Sequence, residues 1–242
     1  MIVHVDAKQL EWVGACYLSQ DPVGMQEIMD NVDMHEINRA RFSLPERRIA
    51  KFFLFRLIYG GTAYAYAYDP DFMHVSTSPK YWQKVIDEAY AKYKVLENTH
   101  TTWVQTVIRN RGRLVVPTGR EYEFAPVSSP RGEMKWPRTQ ILNYPVQGLG
   151  HDLMAIVRTL LFQRLRTLPE YLAGEIRIIS TVHDSIDIDV SPVHTTRVIQ
   201  IVQSCFDDAP ARFKEWFKVE FNLPLRCEIF TGLNLKDLTE VK

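Results

Sequence analysis

Cysteine is scarce in this chain of 242 residues. Cys16, Cys205 and Cys227 are odd in number and widely spaced, which fits reduced thiols in a cytosol better than a disulfide framework. No run approaches the roughly 20 apolar residues of a membrane span. The opening residues, Met1-Ile2-Val3-His4-Val5-Asp6, lack the basic stretch and apolar core of a secretory leader. A cytoplasmic location without a membrane partner is therefore expected. Net charge is also absent, since 29 basic residues balance 29 acidic ones. The chain thus lacks the global basicity of a dedicated nucleic-acid binder. There is no internal repeat and no low-complexity tract. What remains, 46% apolar and 24% charged residues, is ordinary for a globular protein with one large or two small domains.

The charge is segregated although the sum is zero. Arg39, Arg41, Arg47, Arg48, Lys51 and Arg56 crowd one stretch with only Glu46 against them. Arg109, Arg111, Arg113, Arg120, Arg131, Lys135 and Arg138 crowd another. Asp184, Asp187 and Asp189 gather elsewhere. Such a distribution suits a protein that holds phosphates in one place and metal ions in another.

Periodicity predicts a short strand at 2–6, and Leu10 to Leu18 reads as a helix or its approach. Asp21-Pro22 reads as a turn. Helices follow at 34–43 and from 46 to Tyr59, the second stopped by Gly60-Gly61. Tyr64-Ala65-Tyr66-Ala67-Tyr68 fits a strand or a helix. Residues 79–109 read as one long amphipathic helical stretch, and 110–138 as loops with a hairpin around Thr118-Gly119. A helix is expected after Gly148 and Gly150. Two strands, 176–182 and 186–190, flank His183-Asp184-Ser185, and Asp187 and Asp189 alternate with apolar residues as if facing solvent. Helices at 194–206 and 209–220 and a last strand at 225–230 complete the reading.

Arg47, Lys51, Phe55 and Tyr59 recur every fourth residue. On a helix each such step advances about 6 Å and drifts about 40°, so the four line one side over about 18 Å. That length fits a nucleoside triphosphate, cations to phosphates and rings to base. The competing reading is a half-buried helix with Phe and Tyr facing the core. Asp6 closes the first strand and Asp184 sits in the 182–186 turn. Two-metal phosphoryl transfer needs such a carboxylate pair, with ions about 3.5–4 Å apart, and magnesium prefers oxygen ligands.

Several segments together resemble the family A DNA polymerases, the group of bacterial polymerase I and its phage relatives. Val5-Asp6-Ala7-Lys8-Gln9-Leu10-Glu11-Trp12 is similar to their motif A. Arg47-x3-Lys51-x3-Phe55-x3-Tyr59-Gly60 is similar to motif B, the O helix of the fingers. Val182-His183-Asp184-Ser185 resembles motif C. Asn143-Tyr144-Pro145-Val146-Gln147-Gly148 resembles the segment opening the Q helix, and Asp33-Met34-His35 the short Asp-x-His before motif B. The order is the family's, and the resemblance covers nearly the whole chain.

The resemblance implies an α+β fold with a palm, an antiparallel sheet with helices, and mostly helical fingers. The first part of the palm would occupy 1–20, the fingers 21–142 with the motif B helix at 46–59, and the rest of the palm 143–242. It implies template-directed DNA synthesis from dNTPs by a two-metal mechanism. Asp6 and Asp184 would hold two Mg²⁺ ions. Arg47, Lys51 and His35 would contact the triphosphate, Phe55 would stack near base and sugar, and Tyr59 would lie beside the templating base. Glu11 would close the pocket under the sugar 2′-carbon and favour deoxynucleotides. Asn143 and Gln147 would bond the minor groove of the primer-template, where acceptors are alike at all correct pairs. His183 would lie near the primer terminus.

The chain departs from the pattern at Ser185, where the family usually has Glu. Ala7-Lys8 replaces the usual aromatic-Ser, and Leu54 and Arg56 flank Phe55 where Asn and Gly are common. The resemblance begins at motif A. The family's thumb, remaining palm and usual exonuclease-type domain precede that point. The expectation is the palm and fingers subunit of a split, phage-type polymerase, or a shortened form, with the thumb absent here. It would assemble with a second chain carrying the thumb and any exonuclease. The strand at 2–6 is expected to lack its family neighbours and to need a covering partner. Two alternatives stay open. One is a non-catalytic DNA-binding subunit. The other is a single-subunit RNA polymerase relative, against which Glu11 argues.

Overall fold

The computed structural model describes residues 1–128 and 132–241. The helices are α1 (Leu10–Ser19), α2 (Pro22–Met29), α3 (Met34–Arg41), α4 (Arg47–Ile58), α5 (Ala63–Ala67), α6 (Pro70–Met73), α7 (Pro79–Lys92), α8 (Lys94–Arg109), α9 (Arg138–Leu165), α10 (Pro169–Leu172) and α11 (Thr195–Phe217). The strands are β1 (Ile2–Ala7), β2 (Arg113–Val115), β3 (Glu121–Glu123), β4 (Val127–Ser128), β5 (Met134–Lys135), β6 (Ile176–Val182), β7 (Ser185–Val190), β8 (Cys227–Gly232) and β9 (Leu238–Glu240). The fold is α+β. Two compact units divide it, Met1–Leu10 with Gly148–Lys242, and Glu11–Gln147.

The first unit is built on an antiparallel sheet in the order β6-β7-β1-β8-β9. β1 is central. The expectation that it lacks neighbours is overturned, because β7 and β8 bond its two edges along most of its length. Alternation sorts the faces. Val3, Val5, Ile186, Ile188 and Ile229 are buried. Asp6 and His4 occupy the other face, opposite Ser185 and Asp187 on one side and Glu228 and Phe230 on the other. Asp187 corrects a second expectation. It is buried, and the ring of His4 bonds its carboxylate at 2.7 Å, so it does not face solvent. The segments 194–206 and 209–220 are one helix, α11, that runs through Pro210. Val198, Val202, Phe206, Ala209 and Phe213 keep one buried stripe across the proline, and that packing outweighs the lost N–H.

The second unit is mostly helical, with an aromatic core. Phe53, Tyr66, Phe72 and Trp82 are fully buried. Tyr66 lies 5.1 Å from Phe53 and 5.3 Å from Trp82 between ring centroids, and its hydroxyl donates to the Phe53 carbonyl at 2.9 Å. This burial settles the Tyr64–Tyr68 segment as helix α5. Tyr64 and Tyr68, one turn apart, are exposed on its other side. Gly60 ends α4 in the left-handed region, φ 77°, where a side chain would cost strain.

Three boundaries differ from the sequence expectation. Asp21-Pro22 opens α2 instead of forming a simple turn, since Asp21 Oδ1 accepts from the amides of Val23 and Gly24 and proline fits the first helical position. The 79–109 stretch breaks at Tyr93 into α7 and α8, because Asp21 Oδ2 also accepts from the amides of Val95 and Leu96. The helix expected after Gly148 begins at Arg138 and contains Pro145. Buried Ile141 joins Val107, Leu114 and Phe124 in a small core, so packing sustains the turns before the proline.

Candidate active site

In the first unit, antiparallel pairing brings the two expected metal-binding aspartates to neighbouring positions. Asp6 stands opposite Ser185, and the amide of Ala7 donates to the carbonyl of Asp184 at 3.0 Å. The β6–β7 turn places His183 in the left-handed region, φ 50°, with its ring exposed, while Asp6 and Asp184 are half-buried. Ser185 donates its hydroxyl to the Val182 carbonyl at 2.9 Å. It closes the turn in the place where a carboxylate is usual. Asp6 and Asp184 supply the hard oxygen donors that Mg²⁺ prefers. Among the described residues no three His, Cys, Asp or Glu side chains form a metal-binding group. Glu228 escaped the sequence reading. It lies directly across from Asp6 on the same sheet face, a proximity that strand pairing creates and alternation alone could not show.

In the second unit, α4 divides into two faces. Ile49, Ala50, Phe53, Leu54, Leu57 and Ile58 are buried. Arg47 and Lys51 are exposed, and Phe55 and Tyr59 are half-buried. The core therefore takes Phe53 and its neighbours and leaves the four-residue stripe at the surface, which removes the reading of Phe55 and Tyr59 as core residues. The Lys51 ammonium sits 5.6 Å from the Phe55 ring centroid. Arg47 pairs with Asp33 at 2.7 Å. Asp33 also caps α3 through the Glu36 amide. Burial raises its pKa, but the bonds from Arg47 and the Glu36 amide outweigh that and hold it below the usual carboxylate value. Arg56 is turned elsewhere. It pairs with Asp69 at 2.6 Å and lies over Phe72.

His35 stands beside this stripe, its ring 5.9 Å from that of Phe55. Burial, then the charges of Arg47 and Lys51, lower its pKa to about 4, and its Nδ1 has no hydrogen-bond partner among the described residues. His100, buried against Tyr90, is lowered to about 3 by burial and by Arg138. Both are neutral in the folded chain near pH 7. The unfolded chain takes up these protons from about pH 6.5 downward, so it binds more protons between there and the folded values. Stability is thus expected to fall as pH drops from about 6.5 to 4, by on the order of 3 kcal/mol per histidine. Urea unfolding at pH 7 and pH 4.5 measures this, and a His100→Asn protein should show a shallower pH dependence.

Glu11, Tyr59 and Gln147 form a hydrogen-bonded triad. The Tyr59 hydroxyl donates to Glu11 Oε1 at 2.6 Å. Gln147 Nε2 donates to the same oxygen and, at 2.7 Å, to the Tyr59 hydroxyl. Burial, then the Glu11 carboxylate, push the phenol pKa well up, so Tyr59 remains a donor. Asn143 lies one turn before Gln147 on α9, half-buried. Three residues from distant segments thus converge at the end of the α4 stripe.

The family model described as DNA polymerase family A matches residues 1–237. The chain belongs to DNA polymerase family A. It is 22% identical, over 258 aligned positions, to DNA polymerase I of Synechocystis sp., a match covering 97% of this chain and 24% of that protein. The fold is similar to the POL domain of Pol1 from M. smegmatis, solved in complex with DNA primer-template and dNTP. The TM-score is 0.76 at 20% identity, covering 94% of this chain and 38% of the other. This family A chain therefore spans about a quarter of the curated relative. No described helix is long and apolar enough to cross a membrane.

Proposed function

We propose that this chain is the palm and fingers part of a template-directed DNA polymerase. The reaction joins a primer 3′-oxygen to the α-phosphorus of a dNTP and releases pyrophosphate. The observation that carries the reading is the pairing of β1 with β7, which sets Asp6 beside the Asp184 turn. Two Mg²⁺ ions held by these carboxylates would, when bound, activate the attacking oxygen and stabilise the leaving group. The chain's own side chains supply positioning and charge. Arg47, Lys51 and His35 receive the triphosphate. Phe55 stacks near base and sugar, and Tyr59 lies by the templating base. Asn143 and Gln147 bond the minor groove, and His183 lies near the primer terminus. In this reading the palm takes 1–20 and 143–242 and the fingers 21–142, a division close to that of the two compact units.

The triad favours deoxynucleotides. The Glu11 carboxylate accepts from two donors, and held there it would close the pocket under the sugar 2′-carbon. Glu11→Ala should lower the preference for dNTPs over rNTPs by about 10- to 100-fold, read as the ratio of kcat/KM values. Use of rNTPs by the unaltered chain would instead favour an RNA polymerase. DNA binding without catalysis has one observation in its favour, the Ser185 hydroxyl spent within its own turn.

The reading includes a companion chain, in a phage-type split polymerase of the host cytoplasm, that supplies thumb, remaining palm and any exonuclease. Primer extension with dNTPs, with and without the product of the neighbouring reading frame, tests both parts. Incorporation only in the mixture supports them. Processive extension by this chain alone overturns the companion, and no incorporation in either case overturns the polymerase.

A further inference from the structure

We infer that the corner between α8 and β2 is a phosphodiester-binding site for nucleic acid, formed by Arg109 and Arg111. The inference rests on the nucleic-acid reading above, but it concerns a surface to which neither the motifs nor the triad assign a role. From Arg109 to Arg120 the sequence holds four arginines and no acid. The structure sorts them. Arg113 is neutralised across the hairpin by Glu121 at 3.4 Å and Glu123 at 3.0 Å. Among the described residues Arg109 bonds only the Thr106 hydroxyl, at 3.5 Å. Among the described residues Arg111 has no carboxylate partner, and both side chains are exposed. Arg131, of the same basic run, lies outside the described residues.

The corner is built to hold these cations in place. The Gly112 amide donates to the Val107 carbonyl and the Phe124 amide to the Gly112 carbonyl, each at 2.8 Å. A Cβ at Gly112 would stand 2.3 Å from the Phe124 carbonyl oxygen, so the backbone there is closely packed. Leu114 anchors the hairpin in the core with Val107, Phe124 and Ile141. Arg111 adopts φ 53°, a region where Gly or Asn at a helix end costs less. The last turn of α8 attracts one cation through its dipole, which accounts for Arg109. It does not account for a second, strained arginine beyond the helix end. Two unneutralised guanidiniums on a fixed corner match the repeated negative charge of a nucleic-acid backbone.

The test is fluorescence anisotropy of a labelled primer-template titrated with the full chain, and its companion if one is needed, over a salt series. For an Arg109→Ala/Arg111→Ala protein, the slope of log K against log salt should shrink by about 1.8, at about 0.9 per lost phosphate contact. Affinity should fall equally for unrelated sequences. Arg109→Lys/Arg111→Lys should retain most of the slope. Arg111→Gly should raise the thermal midpoint yet lose about one contact's slope, which separates binding from folding. An Asp6→Asn protein should keep the whole slope while losing incorporation, so failure of the corner and failure of the polymerase reading are distinguishable. Unchanged affinity and slope in the double alanine protein would overturn the inference, including in favour of an acidic protein partner at this corner.

Discussion

Asp6→Ala or Asp184→Ala is expected to reduce dNTP incorporation on the order of 10³-fold or more, about 4 kcal/mol of transition-state stabilisation. Each carboxylate would act on charge that develops only as the α-phosphorus is attacked. Its loss should therefore lower kcat while primer-template affinity stays within about twofold. Asp6 ends a strand bonded on both edges, so the sheet should survive the substitution. Asn at either position keeps the shape and removes the charge, and should be nearly as inactive. Single-turnover incorporation beside equilibrium anisotropy measures both quantities. Near-normal turnover in either protein would refute the assigned roles.

Asp21→Ala should be the most destabilising of the substitutions considered, by about 3–5 kcal/mol. One buried carboxylate, 1% exposed, accepts four amide hydrogens, from Val23 and Gly24 on one oxygen and Val95 and Leu96 on the other. It thereby caps α2 and starts α8 at once. A lost cap alone costs about 1 kcal/mol, and buried amides left unpaired add about 1–3 kcal/mol each before relaxation. Asp21→Asn keeps one acceptor oxygen and should fall between the two. Urea midpoints of the three proteins give the order, and equal midpoints would show that water replaces the carboxylate at no cost. A loss of this size is a large part of an ordinary folding free energy of about 5–15 kcal/mol.

Asp21 also shows where sequence reading stops. Asp21-Pro22 carries a local signal, and a helix start could have been read from it. Nothing local shows that the same side chain starts α8, accepting from the Val95 amide 74 positions later. Asp187 is a similar case. Alternation assigned it to the solvent face, and only the pairing of β1 with β7 sets His4 opposite it and shields it. Pro145 lies inside α9, ahead of the helix expected after Gly148, and Pro210 lies inside α11, where two helices were expected. Packing on both sides of each kept the helix continuous.

By itself the sequence pointed to the family, through ordered short motifs, and named the candidate site residues: two carboxylates, a stripe of cations and rings, and Glu11. The carboxylates and the stripe are local, because residue type and four-residue spacing suffice to write them, whereas Glu11 stood out only through the family resemblance. It left open whether the stripe of α4 faced the core. The tertiary structure decided that by filling the core with Phe53, Leu54, Leu57 and Ile58. It also decided that β1 is flanked by strands on both sides, that Glu228 stands across from Asp6, and that Glu11, Tyr59 and Gln147 share one hydrogen-bonded cluster. The reason is physical. Which segments meet depends on burying apolar faces from the whole chain at once, and no window of the sequence contains that competition.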